Sequence, residues 1–447
     1  MSGSVNVPSS KTNRRENFAV GKFLKKALIA AYSPDTQKWL VVAPLIGVIT
    51  GLVIIGIVVV ILDFTWAHLL PLYYQHHLLI IPLTTLGFLL TGLIMQYLTP
   101  DPNEHSTEEI IRSYHEYQGR INLHPFWFKL LAAATTVGFG GSAALEGPSI
   151  YGGGAVGSWL WTRLRGLKLT RADRRVMLIS GAAAGMGAVF RAPLTGLMFA
   201  LEMPYRGDEL VHEALVPSLI ASVVSYGTLV ALLGSEPLFA FIGNPHFAES
   251  DLLWSVLLGA LCGLLALIFA IVFRHFRSFF IKLPAPHTAK MVAGGLLTGV
   301  CGLLFVTIYP HQPLLPLGAD YEVVKEILTH PHPSHCLLVF AALKASATIF
   351  SLGVGGVSAM FVPLLLIGGS IGKVFGQAIV GVSGIDLFAA VGMASFIAAA
   401  LKTPLAGVIF VAETTGGLSY LIPCLIGAAV AYVISGEASV SAEQRAA

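Results

Sequence analysis

The chain has 447 residues, 55% of them hydrophobic and only 11% charged, with a mean hydropathy of +0.77. That charged fraction is less than half of what a soluble domain carries, which excludes a secreted enzyme, a nucleic-acid-binding module and a cytosolic dinucleotide enzyme as the main reading. A net charge of +3 is too small to call for a polyanionic partner, nucleic acid included.

In chain order, a segment rich in Lys and Arg (Lys11, Arg14, Arg15, Lys22, Lys25, Lys26) leads into an apolar run over 39–62. The segment lacks the short apolar core and small-residue cleavage site of a signal peptide, so 1–38 reads as a cytoplasmic N-terminal segment and the run as a retained helix. Further runs lie at 78–98, 252–273 and 291–308, each long enough to cross a hydrocarbon core of ~30 Å. Between them, 127–137, 148–161, 362–374 and 405–412 are apolar but short or interrupted by Gly and Pro. Broken helices of this kind are tolerated only where protein or a water-filled cavity satisfies the freed backbone. Two more basic clusters, from Arg163 to Arg175 and from Arg274 to Lys290, mark cytoplasmic loops. The chain therefore reads as an all-α, multi-pass protein of the lipid bilayer, in the plasma (inner) membrane with both termini cytoplasmic. Its four cysteines, Cys262, Cys301, Cys336 and Cys424, have no metal or disulfide spacing and read as small apolar residues.

The sequence repeats itself. Residues 192–202, from Ala192-Pro-Leu-Thr-Gly to Glu202, align without a gap on 403–413, from Thr403-Pro-Leu-Ala-Gly to Glu413, with Arg191 and Lys402 directly before each. Residues 145–157 align likewise on 360–372. Transporters are often built from two such halves, which meet at a substrate site near the bilayer midplane. The chain divides accordingly into membrane repeat 1 (39–242), a polar link (243–251), membrane repeat 2 (252–435) and a short cytoplasmic tail (436–447). An odd number of crossings per half would invert the second half.

The chemistry concentrates in the Gly-rich turn from Gly138 to Gly147, which enters a helix through Pro148. Pro sits well in a first helical turn, where its missing N–H costs nothing. Glu146 thus stands at a helix N-terminus inside the membrane, where free N–H groups and a positive dipole end attract an anion or a carboxylate. An intramembrane carboxylate is expensive and its default reading is functional; an anion drawn to that helix start would compete with Glu146 for one place. In the second half the turn from Gly353 to Pro363 carries Phe361 where the first carries Glu146. Anion contacts there must come from main-chain N–H groups, with the Phe361 ring as an apolar wall.

These runs, Leu145-Glu-Gly-Pro148, Met360-Phe-Val-Pro363 and the two copies of Pro-Leu-(Thr/Ala)-Gly ending in Glu, occur together and in order over about residues 40–435. In this they resemble the CLC family of chloride channels and proton/chloride exchangers. The resemblance implies two inverted-topology repeats with broken helices, a homodimer with one anion path per subunit, and chloride as the bound substrate ion with no cofactor. It implies Glu146 as the gating glutamate and Gly147, Met360, Phe361 and Val362 as anion-binding positions. Three places depart from the family pattern. The inner serine motif is replaced by Asn103 to Ile110, so His105 or Ser106 stands for the anion-binding serine, or Ser106 and Glu109 form a plain capping box. Met203 occupies the place of the exchangers' second glutamate, one residue after Glu202, and Val440 that of the pore tyrosine.

The expected function is transport of small inorganic anions, chloride first, gated by Glu146. Met203 and Val440 favour passive or loosely coupled flux slightly over proton/chloride exchange. A secondary transporter of an organic solute or cation, using Glu146, Glu202 and Glu413, is the alternative of another class, and no enzyme constellation is present in the sequence. His311, His330, His332 and His335 lie in and near a Pro-rich loop and read as solvated side chains, with no metal expected.

Overall fold

The computed structural model describes residues 34–446 apart from 165–166, 168, 236–237, 240–247, 320, 380–384 and 416–417. The basic positions from Lys11 to Lys26, Arg165 and Lys168 of the next basic cluster, and 243–247 of the expected link lie outside the described residues. Contacts divide the chain into two units, Met1–Val42 and Ala43–Ala447, and the candidate site lies in the second.

Among the described residues the structure is helical, with two isolated bridges and no strand. The first half carries α1 (Pro34–Val58), α2 (Ala67–Gln75), α3 (Ile80–Leu98), α4 (Ser106–His115), α5 (Phe126–Gly138), α6 (Glu146–Arg163), α7 (Arg171–Val189), α8 (Pro193–Glu202) and α9 (Leu215–Leu233). The second carries α10 (Glu249–Lys282), α11 (His287–Ile308), α12 (Tyr321–Thr329), α13 (Ser334–Gly353), α14 (Phe361–Ile379), α15 (Ile385–Leu401), α16 (Pro404–Thr415) and α17 (Leu421–Ile434). All four cysteines are buried and free.

Seven helices among the described residues are long and apolar enough to cross a membrane. The first run continues beyond residue 62: α1 passes through a π-helical stretch, Val59–Trp66, into α2, and Thr65 Oγ1 donates to the Val60 carbonyl at 2.7 Å within the widened turn. The stretch at 362–374 is a second difference. It belongs to a 19-residue helix, Phe361–Ile379, that is long enough to span. Its glycines do not interrupt it because their bare Cα atoms are used for packing: a Cβ on Gly372 would lie 2.0 Å from the Phe388 carbonyl oxygen of α15.

The same device recurs in the first half. A Cβ on Gly153 of α6 would lie 2.0 Å from the Gly181 carbonyl oxygen of α7, so α6 and α7 touch backbone to backbone as α14 and α15 do. Gly47 and Gly51 let α1 approach α9, while Gly259 and Gly263 let α10 approach α17. Two glycines four apart put two bare surfaces on one helix face, the close-packing pattern of membrane helices. The repeat in the sequence is thus a repeat in packing.

The repeat extends to helix capping. Arg191 and Lys402, which precede Pro193 and Pro404, both take left-handed backbone, with φ of 53° and 60°. Glu202, the last residue of α8, accepts bonds from the Leu405 and Ala406 N–H groups that open α16, both at 2.9 Å. Glu413, near the end of α16, accepts from the Leu194 and Thr195 N–H groups that open α8, at 3.0 and 2.9 Å. Each helix end satisfies the free N–H donors of the other helix's start.

Candidate anion site

The two Gly-rich turns meet. Ala144 N–H donates to the Ala359 carbonyl at 3.0 Å, and the Ser358 hydroxyl donates to the Ala144 carbonyl. A Cβ on Gly147 would lie 2.6 Å from the Ser358 carbonyl carbon, so only glycine permits this approach. The start of α6, at Glu146, and the start of α14, at Phe361, are thereby brought together from opposite halves.

Glu146 is 1% exposed. Its Oε1 accepts the Phe361 N–H at 2.5 Å, and its Oε2 is buried with no hydrogen-bond partner among the described residues. The carboxylate therefore sits on a main-chain N–H at the positive end of the opposing helix. The Phe361 ring is fully buried and lies between Phe190, Phe199 and Phe410, with ring centroids 5.5, 5.7 and 4.9 Å away. Phe199 and Phe410 hold the same place in the two aligned runs. They build an apolar wall from both halves.

A narrow cavity with about 70 Å³ of room for water-sized molecules runs past Glu146. Met360 and Phe361 line it, as do His105 and Ser106 at the start of α4, with Val440 from the C-terminal segment. Gly147 and Val362 flank this wall without lining it. The capping box is not formed: no side chain caps α4, Ser106 has a φ of 57°, and Glu109 turns instead to Lys129, at 2.6 Å. Ser106 Oγ lies 3.3 Å from His105 Nδ1, and both residues are buried.

Lys129 is a residue that sequence reasoning missed, and a signal for it exists. The offset that aligns 145 on 360 also aligns Lys129 on Lys344. Both are buried, and each ties its helix to another segment: Lys129 to Glu109 of α4, Lys344 to the Gly318 carbonyl before α12 at 3.0 Å. At position 203 the Met203 side chain is buried, and its carbonyl accepts from Gln444 Nε2 at 3.0 Å. The loop histidines are partly engaged within the protein, His330 and His332 lying 3.1 and 3.3 Å from the Glu326 carboxylate.

The sequence profile described as voltage gated chloride channel matches residues 87–436. The chain is 26% identical over 395 residues to an uncharacterized protein of Methanocaldococcus jannaschii, covering 88% of this chain and 92% of that one. It is 29% identical over 349 residues to the H(+)/Cl(-) exchange transporter ClcA of Vibrio parahaemolyticus, covering 72% and 71%. Among solved structures, a CLC-type fluoride/proton antiporter superposes with a TM-score of 0.76 at 24% identity, covering 92% of this chain and 98% of that one. A slow cyanobacterial Cl-/H+ antiporter superposes with a TM-score of 0.77 at 21% identity, covering 89% and 94%. These two share the fold. A profile match over most of the chain, on a helical membrane architecture whose paired Gly-rich turns meet at Glu146, makes this protein a member of the voltage gated chloride channel (CLC) family.

Proposed function

We propose that this protein exchanges a small inorganic anion, chloride first, for protons across the membrane, and that Glu146 both gates the anion path and carries the proton. One observation carries the reading: the Glu146 carboxylate rests on the Phe361 N–H, so a protonatable anion occupies the place that a permeating anion needs. Ionised, Glu146 holds that donor through a charge-assisted bond. Protonated, it loses the charge that holds it there, and the N–H groups of Gly147, Met360, Phe361 and Val362 become the lining for the anion. His105 and Ser106 would meet the ion from the inner side. Main-chain donors bind an anion without a fixed opposite charge, which lets it leave again.

The Vibrio relative is named as a proton/chloride exchanger, which favours exchange over the passive flux suggested by Met203 and Val440. Those two residues argue against a proton route through position 203, and Glu146 itself is retained. Glu202 does not replace the missing carboxylate, since both its oxygens cap α16. The same reading includes a homodimer in the plasma membrane, both termini in the cytoplasm, and repeats bounded at 39–242 and 252–435.

The test is the reversal potential of purified protein in liposomes under opposing chloride and pH gradients. Exchange predicts a value displaced from the chloride equilibrium potential by the pH gradient. A value fixed at that potential means passive conduction, and no chloride dependence brings the organic-solute or cation carrier forward.

A further inference from the structure

If protons reach Glu146 from the cytoplasm, this chain must supply them by a group other than position 203. Its carboxylates near the site are mostly engaged. Both oxygens of Glu202 cap α16 and both oxygens of Glu413 cap α8, while Glu109 is bound to Lys129 at 2.6 Å. Glu108 differs. Among the described residues, Glu108 and Glu146 are the two carboxylates that line the same cavity. The Glu108 side chain is 19% exposed, whereas Glu146 is 1% exposed with an unpartnered Oε2. One carboxylate is thus at the wet part of the cavity and the other at its buried part.

We propose that Glu108 is the cytoplasmic proton-loading group of this protein, a role that rests on the exchange reading above. The Glu108 carboxylate takes a proton from cytoplasmic water and releases it to water in the cavity, and Glu146 Oε2 receives a proton from that water. The net change is one proton moved from cytoplasmic water to Glu146, with Glu108 returned to its charged form and the Phe361 N–H freed for an anion. The cavity has room for water, and its mainly apolar wall carries His105, Ser106, Glu108 and Ser441 as polar partners for that water on the way to Glu146.

The surroundings suit repeated loading. Burial pushes the Glu108 carboxyl above its ordinary range, and Arg277 of α10, with Nη1 3.9 Å from Oε1, pulls the other way without a locking hydrogen bond. Ser441 of the C-terminal segment lines the same wall. The other charges near Glu108 come from Glu443 and Arg112, which are paired with each other at 2.5 Å. His105, on the preceding turn, is buried on this wall.

The experiment measures proton uptake and chloride efflux separately in vesicles holding the full chain, for wild type, Glu108→Gln, Glu108→Asp and Arg277→Gln. The expected result is a tenfold or greater loss of proton uptake in Glu108→Gln, a fall in the number of protons moved per chloride, and partial recovery of both in Glu108→Asp. Wild-type proton coupling in Glu108→Gln overturns the proposal while leaving exchange intact. Absence of proton movement in wild type overturns the exchange reading, and this one with it. Should Glu108→Gln lose both fluxes through misfolding, Arg277→Gln decides. Without its cation Glu108 holds a proton to higher pH, so the proton-flux profile moves up in pH; an unmoved profile refutes the role.

Discussion

Replacing Glu146 with Gln separates a competing carboxylate from a merely structural one. The ionised side chain accepts the Phe361 N–H at 2.5 Å in a site 1% exposed, and an anion seeking that donor must displace it. A hydrogen bond to a charged group contributes about 1.5–3 kcal/mol. With 1.4 kcal/mol per factor of ten, removing the competitor should tighten anion binding by roughly 10- to 150-fold. The amide oxygen still accepts a neutral bond worth about 0.5–1.5 kcal/mol, which places the expectation in the lower part of that range. Calorimetric titration of chloride into the purified protein at neutral pH measures the affinity, and liposome flux across a pH series measures the gate. Tighter binding together with flux that no longer responds to pH supports competition at one place. Unchanged affinity and unchanged pH response would refute it, because the carboxylate would then not occupy the anion's donor.

Three further outcomes follow from the packing. Glu202→Gln and Glu413→Gln each leave one acceptor for two N–H donors, so each variant should lose about 1–3 kcal/mol of stability in thermal or denaturant unfolding. The proton-to-chloride ratio should stay unchanged, and a stable Glu202→Gln with lost coupling would make Glu202 a relay. Gly153→Ala forces a methyl to within 2.0 Å of the Gly181 carbonyl oxygen, a clash expected to cost ~1–3 kcal/mol or more and to lower the melting temperature; an unaltered melt would mean that α6 and α7 can separate at no cost. Ser106→Ala and His105→Ala should each weaken chloride binding in calorimetry, and unaltered affinity in both would leave the inner contacts to the main chain alone.

The legible part of this protein is the part written twice. The aligned runs at 145–157 and 360–372 locate two turns that do meet, through the Ala144 and Ala359 backbones, and the aligned Glu202 and Glu413 cap each other's helices. The four short stretches all fall inside helices, α5, α6, α14 and α16. Illegible was the continuation of the first run through a π-helical stretch, because a widened turn leaves no composition signal. Also missed was the length of α14: Gly368, Gly369 and Gly372 read as interruptions in one dimension and are contact surface in three. Ser106 and Glu109 match a capping box by spacing alone, but Lys129, distant in sequence, takes Glu109 away. Buried charge satisfied across elements prevails over a local cap worth about 1 kcal/mol.

The asymmetry between the repeats follows from the same electrostatics. Two helix starts converge on one place, and each brings free N–H donors and a positive dipole end. A carboxylate from both halves would put two like charges side by side in a buried site, which drives one of them to stay protonated and silent as a competitor. A carboxylate from neither would leave the donors with no internal anion and the path with no group to bind a proton. With Glu146 on α6 and Phe361 on α14, one half supplies the titratable competitor and the other supplies the N–H it holds. The repeat pair is therefore complementary at the position where one half carries a carboxylate and the other a ring, and exchanging the two residues, Glu146→Phe with Phe361→Glu, should move the competitor to the other helix and keep pH-dependent flux. If the double variant folds and its flux ignores pH, the position of the carboxylate matters beyond its charge, and symmetry of the two helix starts is not enough to make a gate.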